Sequence, residues 1–553
     1  MLVDTIIENA RITTMDPKRP QASRLGIFAG RIIGFDEALD GISAEVRIDL
    51  DGAPVVPGFN DAHMHFSALG LRMDQLDLSA QEAPTLDALY KKVERYAATR
   101  PAGSWVIGHG YDQNRIGAHP DRDVLDRISG GRPVFILHNS AHMCVANTEA
   151  FALAGHPDPD ALEAPVGGEI GRDDTGRNTG LLADKAMSLV DDYLRLVPQT
   201  MLFDALKRAS RWCLRHGLTS VTEAGVSGRG IGNGPGDVRA YQDLLDAGKL
   251  HTRLTLMPYI DALHGLGPIG TPYGNGDGWG IDLGLRSGIG NEWLRLGPTK
   301  VLSDGSLIGH TAAMCHDYVG EPGNTGLMAW DEAELRDMLI TAHVNGWQVA
   351  AHAIGDRAVG FVLDALDEAQ KMRPRSDARH RLEHAAIVSD EQVERIADGG
   401  YIPVPQGRFI SELGDGFVSA LGPERMDQVY RMRSFVDRGV ELPGSTDAPV
   451  VPAEPLISLH DMVNRRAEGG ELIGPDERLT PWQALRAYTY GSAYAVHEER
   501  LKGSLSRGKL ADLVVLSDDL LAVSPEKIKD IEVRATMVGG KFRYDAEQEL
   551  AAP

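Results

Sequence analysis

Six residues of this chain have types and positions that could assemble a metal centre. His63 and His65 close the apolar run Ala53-Pro-Val-Val-Pro-Gly-Phe-Asn-Asp-Ala-His63-Met-His65. Side chains of a strand alternate between faces, so two histidines two positions apart point the same way, as two ligands of one metal must. His352 ends Gln348-Val-Ala-Ala-His352, His384 ends Arg381-Leu-Glu-His384, and Asp447 follows Leu442-Pro-Gly-Ser-Thr. Lys300 lies in Leu294-Arg-Leu-Gly-Pro-Thr-Lys300-Val-Leu-Ser-Asp304. Taken singly, a strand-end histidine is more often a hydrogen-bonded core residue, and a lone lysine is usually a solvated charge. Their joint position at the ends of successive apolar runs changes that balance. Neutral imidazole and carboxylate are ligands that borderline-soft Zn2+ accepts. A free lysine ammonium is not, but a carboxylated lysine could bridge two metals.

These residues need elements that bring them together. Between about 57 and 499, apolar strand-like runs alternate with amphipathic stretches. Leu296–Leu302, Trp347–His352, His380–His384, Tyr401–Pro405 and Leu442–Gly444 are predicted strands; Asp331–Val344 and Arg357–Lys371 are predicted helices. Repeated strand–helix units imply a parallel sheet, and a (β/α)8 TIM-type barrel closes such a sheet with its active site where the strands end. The stretch 69–197 is too long for one crossover and is expected to be an insertion after the first barrel strand. Both ends of the chain are β-rich: Val3–Ile7, Leu25–Phe28 and Arg31–Phe35 at one, Leu513–Leu516, Val533–Val538 and Lys541–Tyr544 at the other, the last two joined by Gly539-Gly540. Segments 1–56 and 500–553 are therefore expected to form one small composite β-sandwich domain beside the α/β barrel.

Bulk properties exclude other classes. The 553 residues carry a formal net charge of −23 and show no Lys/Arg cluster, which disfavours nucleic acid and anionic membranes as partners. No apolar run approaches the roughly 20 residues that span a bilayer. No secretory signal is evident, and Cys144, Cys213 and Cys315 show no CxxC spacing. A cytoplasmic location is expected. No GxSxG is present, which disfavours a serine hydrolase. Gly503-Ser-Leu-Ser-Arg-Gly508-Lys509 ends on Leu510 where a phosphate loop needs Ser or Thr.

The motifs PGFNDAHMH, the lysine before SDGSL, AHAIGD, RLEHA and GSTDAPV resemble the amidohydrolase superfamily. The resemblance is to amidohydrolase family 3, the branch that includes N-substituted formamide deformylases. GHGYDQN at 108–114 and GSLSRGKLADLVVL at 503–516 extend it over nearly the whole chain. It implies a metal-dependent amidohydrolase cleaving a C–N bond in a small amide, such as an N-substituted formamide or N-acyl amine. It also implies two divalent ions, with zinc expected and manganese, cobalt or iron as alternatives. His63, His65 and Asp447 would bind one, His352 and His384 the other, and Lys300, carboxylated by CO2, would bridge them. A hydroxide between the cations would attack the carbonyl, with Asp447 passing its proton to the leaving nitrogen. The same site could serve a cyclic amide, carbamate or ester, and a catalytically silent binding relative is the rival of another class. A homodimer is compatible with the sequence.

The chain departs from family pattern at two places. A His-Asp pair in motifs like GVTSVHDAG is replaced by Thr222-Glu223, and the region corresponding to VQP reads Pro403-Val-Pro-Gln406-Gly-Arg408. Tyr111, His142 and Arg408 are candidate substrate contacts.

Overall fold

In the computed structural model, the described residues are 2–138, 143–165, 168–190, 197–228, 232–267 and 278–547. They fall into two compact units, Gly70–Ala205 and the remainder of the chain. Among the described residues no helix is long and apolar enough to cross a membrane.

In the larger unit, strands from both ends of the chain share a sheet. Its order is Lys541–Asp545, Val533–Val538, Leu513–Leu516, Pro54–Pro57, Arg11–Thr13 and Gln21–Ala22. A second sheet holds Arg31–Phe35, Leu25–Phe28, Leu2–Glu8 and Ser43–Asp49. Ile7 and Ile27 of one sheet and Val55, Leu513 and Met537 of the other lie in a single buried cluster. Gly539 and Gly540 both take positive φ, 59° and 77°, which suits the tight turn between the last two strands.

Eight further strands of this unit form two four-stranded parallel sheets. One is ordered Leu294–Leu296, Arg253–Pro258, Leu218–Val226, Phe59–Met64; the other runs Thr299–Leu302, Val349–Ala353, Arg381–His384, Ile402–Val404. A parallel bridge joins Tyr259 to Lys300, and another joins Gln406 to Ser445. On the far side, Ala62 N–H donates to Gly444 O, Asp447 N–H to His63 O and His65 N–H to Ala448 O, at 3.0, 2.8 and 2.7 Å. The segment 444–448 thus bonds to both the Phe59–Met64 strand and the chain beyond Ile402–Val404.

Helices Glu332–Val344, Asp356–Met372 and Asp390–Asp398 alternate with the second set of strands. Asp331 caps the first by accepting from Ala333 N–H and Glu334 N–H, and Ser389 with Gln392 forms a capping box on the third. Val359, Val362, Leu363, Leu366 and Ala369 repeat at helical spacing and give Asp356–Met372 its buried face.

Two predicted strands differ from the structure. The run Leu296–Leu302 is broken into Leu294–Leu296 and Thr299–Leu302, because Pro298 has no N–H to donate to a ladder between them. Leu442–Gly444 forms no strand. Pro443 lacks a donor, and Gly444 N–H is taken by Ala487 O at 2.9 Å, leaving only the bridge at Ser445.

Within Gly70–Ala205 a six-stranded mixed sheet is ordered Gly168–Arg172, Asn178–Asp184, Met143–Ala146, Val134–His138, Val106–Tyr111, Leu76–Asp77. Helix Leu86–Thr99, capped by Thr85, packs Leu89 and Val93 into its core beside Leu125 and Ile136.

The strand carrying His352 ends against a close backbone approach. A Cβ on Gly355 would stand 1.9 Å from Ala313 O, a clash no side-chain motion relieves. Gly355→Ala should therefore cost about 1–3 kcal/mol and lower the thermal midpoint. Gly265→Ala, whose Cβ would meet open space, should leave the midpoint almost unchanged in the same melt.

Candidate metal centre

His63, His384 and Asp447 offer ligand atoms that all lie within 4.8 Å of one another, and all three residues are buried. They come from the Phe59–Met64 strand, the Arg381–His384 strand and the 444–448 segment. His384 and Asp447 hold positive φ, 71° and 59°, a conformation non-glycine residues seldom adopt and one found at functional sites. Around this trio, His63 Nε2 lies 3.4 Å from both Lys300 Nζ and Asp447 Oδ1, and His65 Nε2 lies 3.3 Å from Asp447 Oδ1. The His352 ring centroid is 4.5 Å from that of His384. The structure therefore gathers all six predicted residues, five of them in or directly after strands and Asp447 in the 444–448 segment.

Each ring can be given a tautomer from its partners. His63 Nδ1 meets Glu383 Oε2, and Glu383 is clasped by Arg381 through Nε at 2.7 Å and Nη2 at 2.9 Å. Burial alone would raise the Glu383 carboxyl, but Arg381 and His63 outweigh it and hold Glu383 well below the usual range. An ionised Glu383 only accepts, so His63 carries its proton on Nδ1 and turns an Nε2 lone pair inward.

His384 Nδ1 meets Gln406 Oε1 at 2.8 Å. The Gln406 amide is oriented because its Nε2 donates to Val404 O and Ser445 Oγ, at 2.9 and 3.0 Å. Its oxygen must therefore face His384 and accept the Nδ1 proton, which leaves His384 Nε2 with the free lone pair. His352 Nε2 meets Gly305 O, an acceptor only, at 3.1 Å, so its Nδ1 keeps the lone pair. Second partners of this kind orient metal-binding histidines.

Charge at the centre is as constrained as geometry. Burial pushes the Lys300 ammonium down to about 8, with Glu383 and Asp447 opposing the shift. Burial also lowers His384 to about 3 and His352 well below its ordinary value, so both rings are neutral and able to donate lone pairs. Burial would raise Asp447; protonated His63 and His65 rings would hold it well below the ordinary carboxylate range, a part left to a cation where the His63 ring turns a lone pair toward it. Asp447 Oδ1 nevertheless has no hydrogen-bond partner. A buried ionised oxygen beside inward-facing imidazole nitrogens and a buried amine fits a divalent cation, because a cation would satisfy what the protein leaves bare.

Beside the centre, Asp304 accepts backbone N–H groups from Ala313, Ile354 and Gly355 at 2.9–3.0 Å. It thereby ties the loop after Lys300 to the strand end bearing His352. Arg408 is engaged with Glu412 at 2.6 Å and Asp461 at 3.6 Å. Tyr111 is buried in the core of the Gly70–Ala205 unit with its hydroxyl 3.0 Å from His119 Nδ1. His142 lies outside the described residues. Sequence reasoning missed Glu383 and Arg381. Their spacing of two, which places both on one strand face, was the available signal.

Known proteins similar to this chain define its family. The profile described as "Amidohydrolase family" matches residues 47–544. The chain is 30% identical over 559 residues to the N-substituted formamide deformylase of Arthrobacter pascens, covering 98% of each chain. It is 32% identical over 556 residues to Protein LONG AFTER FAR-RED 3 of Arabidopsis thaliana, covering 98% of this chain and 92% of that one. A crystal structure of an uncharacterized metal-dependent hydrolase from Pyrococcus horikoshii OT3 superposes with a TM-score of 0.77 at 27% identity, over 94% of this chain and 99% of that one. The chain belongs to the amidohydrolase family. It is a metal-dependent hydrolase with a TIM-barrel-like α/β fold.

Glu383 is the partner of two buried cationic or proton-donating groups. Glu383→Gln should leave the Arg381 charge buried and uncompensated, at a cost of about 3–5 kcal/mol. The double variant Arg381→Met/Glu383→Gln should recover a large part of that loss in urea denaturation followed by tryptophan fluorescence. Equal stability of the single and double variants would contradict the pairing.

Proposed function

We propose that this hydrolase cleaves the C–N bond of a small amide, of the N-substituted formamide or N-acyl amine class. The observation that carries the reading is the inward convergence of His63 Nε2, His384 Nε2 and the unpartnered Asp447 Oδ1 around buried Lys300. The formamide deformylase relative, matched along 98% of both chains, supports the choice of bond. Two divalent ions, zinc by preference, would be held by His63, His65 and Asp447 and by His352 and His384, and would supply Lewis acidity and an acidified water.

The protein's own groups do the rest. Asp447 Oδ1, ionised and free of hydrogen bonds, accepts a proton from the attacking water and delivers it to the leaving nitrogen. Glu383, Gln406 and the Gly305 carbonyl hold three imidazoles in one tautomer, so no ring must turn during turnover. Lys300, with its ammonium destabilised by burial, reaches the neutral amine more easily than an exposed lysine. That amine adds to CO2 with loss of one proton, giving a carbamate whose two oxygens could each meet a cation. We also read the two parallel sheets as one (β/α)8 barrel. The bridges at Lys300 and Ser445 and the bonds from Ala62, His65 and Asp447 support closure. On the same reading 57–499 is the barrel with its insertion at 69–197, and 1–56 with 500–553 form the composite β domain.

Prolonged chelation should abolish hydrolysis of N-substituted formamides and N-acyl amines, and added Zn2+, Mn2+ or Co2+ should restore it. Activity confined to lactams, carbamates or esters would move the substrate class, and full activity in metal-free protein would refute the site.

Lys300→Ala should lose both bound metal and activity, and acetate or propionate should restore part of each by occupying the space of the carbamate. Electron density ending at an unbranched Nζ in the metallated protein, with no rescue by any short acid, would show that Lys300 does not bridge.

A further inference from the structure

Asp61 and Thr446 belong to the motifs PGFNDAHMH and GSTDAPV, yet neither is among the trio His63, His384 and Asp447. Both are buried, and they meet where the Phe59–Met64 strand faces the 444–448 segment. The Thr446 hydroxyl donates to Asp61 Oδ2 at 2.6 Å and Thr446 N–H donates to Oδ1 at 3.2 Å. Asp61 Oδ1 also accepts His63 N–H at 3.0 Å. The direction of the hydroxyl bond is fixed, because Thr446 Oγ1 accepts Ala448 N–H at 3.2 Å and its single proton is left for Asp61. Asp61 is thus an acceptor in all three bonds. Burial raises its carboxyl to about 7, and the bonds from Thr446 and His63 pull it back toward the ionised form that accepts.

Asp447 stands between Thr446 and Ala448 at a φ of 59°. A non-glycine residue keeps such a φ only where its surroundings over-determine it. Asp447 N–H donates to His63 O at 2.8 Å, and the residue before it is held by Asp61 at two atoms. The residue after it bonds through N–H to Thr446 Oγ1 and through its carbonyl to His65 N–H at 2.7 Å. We infer that Asp61 is a positioning residue for Asp447, acting through the Thr446 hydroxyl to hold Asp447 Oδ1 between His63 and His65. Oδ1 lies 3.4 Å from His63 Nε2 and 3.3 Å from His65 Nε2. The same carboxylate also holds the N–H of His63, so the backbones of two proposed ligands are set by one buried group. The inference rests on the reading of Asp447 as a metal ligand and proton carrier.

Full-length protein provides the test, through Zn2+ affinity of the metal-free form against a chromophoric chelator, and through kcat and KM of the zinc-loaded form on an N-substituted formamide. Asp447→Asn should first lose zinc affinity and turnover; wild-type values of both would mean that the reading of Asp447 itself fails, whatever Asp61 does. With that loss established, Thr446→Val, which removes the hydroxyl at nearly constant volume, should weaken zinc binding about 10- to 100-fold. In zinc-saturated protein it should lower kcat by up to about 100-fold with KM changed far less, because a displaced carboxylate fails after the substrate has bound. Thr446→Ser keeps the hydroxyl and should return both quantities toward wild type. Asp61→Asn would turn an NH2 group toward Thr446 Oγ1 and should repeat the loss, and it stands in if the valine variant does not fold. Unchanged zinc affinity and kcat in folded Thr446→Val or Asp61→Asn, or a loss as large in Thr446→Ser as in Thr446→Val, would overturn the assignment.

Discussion

Burying several titratable groups in one place is the constraint on which the rest of this structure depends. A carboxylate or an ammonium taken out of water loses solvation worth several kcal/mol unless a partner replaces it. Glu383 is the clearest response. Fully buried, it takes both Arg381 contacts and the His63 proton, and so remains ionised where burial alone would neutralise it. That one carboxylate sets the tautomer of His63, and hence the direction of a lone pair at the centre of the site. Arg381 in turn donates to Ala62 O at 2.7 Å, so the same ion pair ties the strand of His384 to the strand of His63.

Partners that set direction recur around the centre, and they are of different strengths. Gln406 can orient His384 only because its amide is itself pinned by Val404 and Ser445. Asp304 uses three backbone N–H groups to hold two loop ends in register. The consequence is a set of donors whose geometry is paid for by the surrounding fold, which leaves little reorganisation at the moment a ligand arrives. What the protein leaves bare, Asp447 Oδ1 above all, is what the proposed cation would satisfy.

The strands supply the distances. Parallel pairing places His352 and His384 on adjacent strands, with His352 beside Glu383 and Ala353 beside His384 in register. The site therefore lies toward one end of these strands, the place where an α/β barrel carries its polar groups.

Much of this was legible in the residues alone. The strands Leu25–Phe28, Arg31–Phe35, Leu513–Leu516 and Val533–Val538 coincide with β-branched and apolar runs bounded by turn formers, because local pattern decides such short elements. The six inward residues were also legible, since a spacing of two and a place at a run's end are local properties. Prolines showed the limit of apolarity as a guide: Pro298 split one expected strand and Pro443 prevented another, although the runs around them are apolar. The supporting groups were beyond reach for a further reason. Glu383 meets His63 across 320 positions, and Asp61 meets Thr446 across 385. Which acid faces which imidazole depends on strand order and register, and these are settled only when the whole sheet forms. The sequence determined which groups stand at the candidate centre; the tertiary structure decided which proton each imidazole carries, because a tautomer follows from a partner that the chain brings from far away.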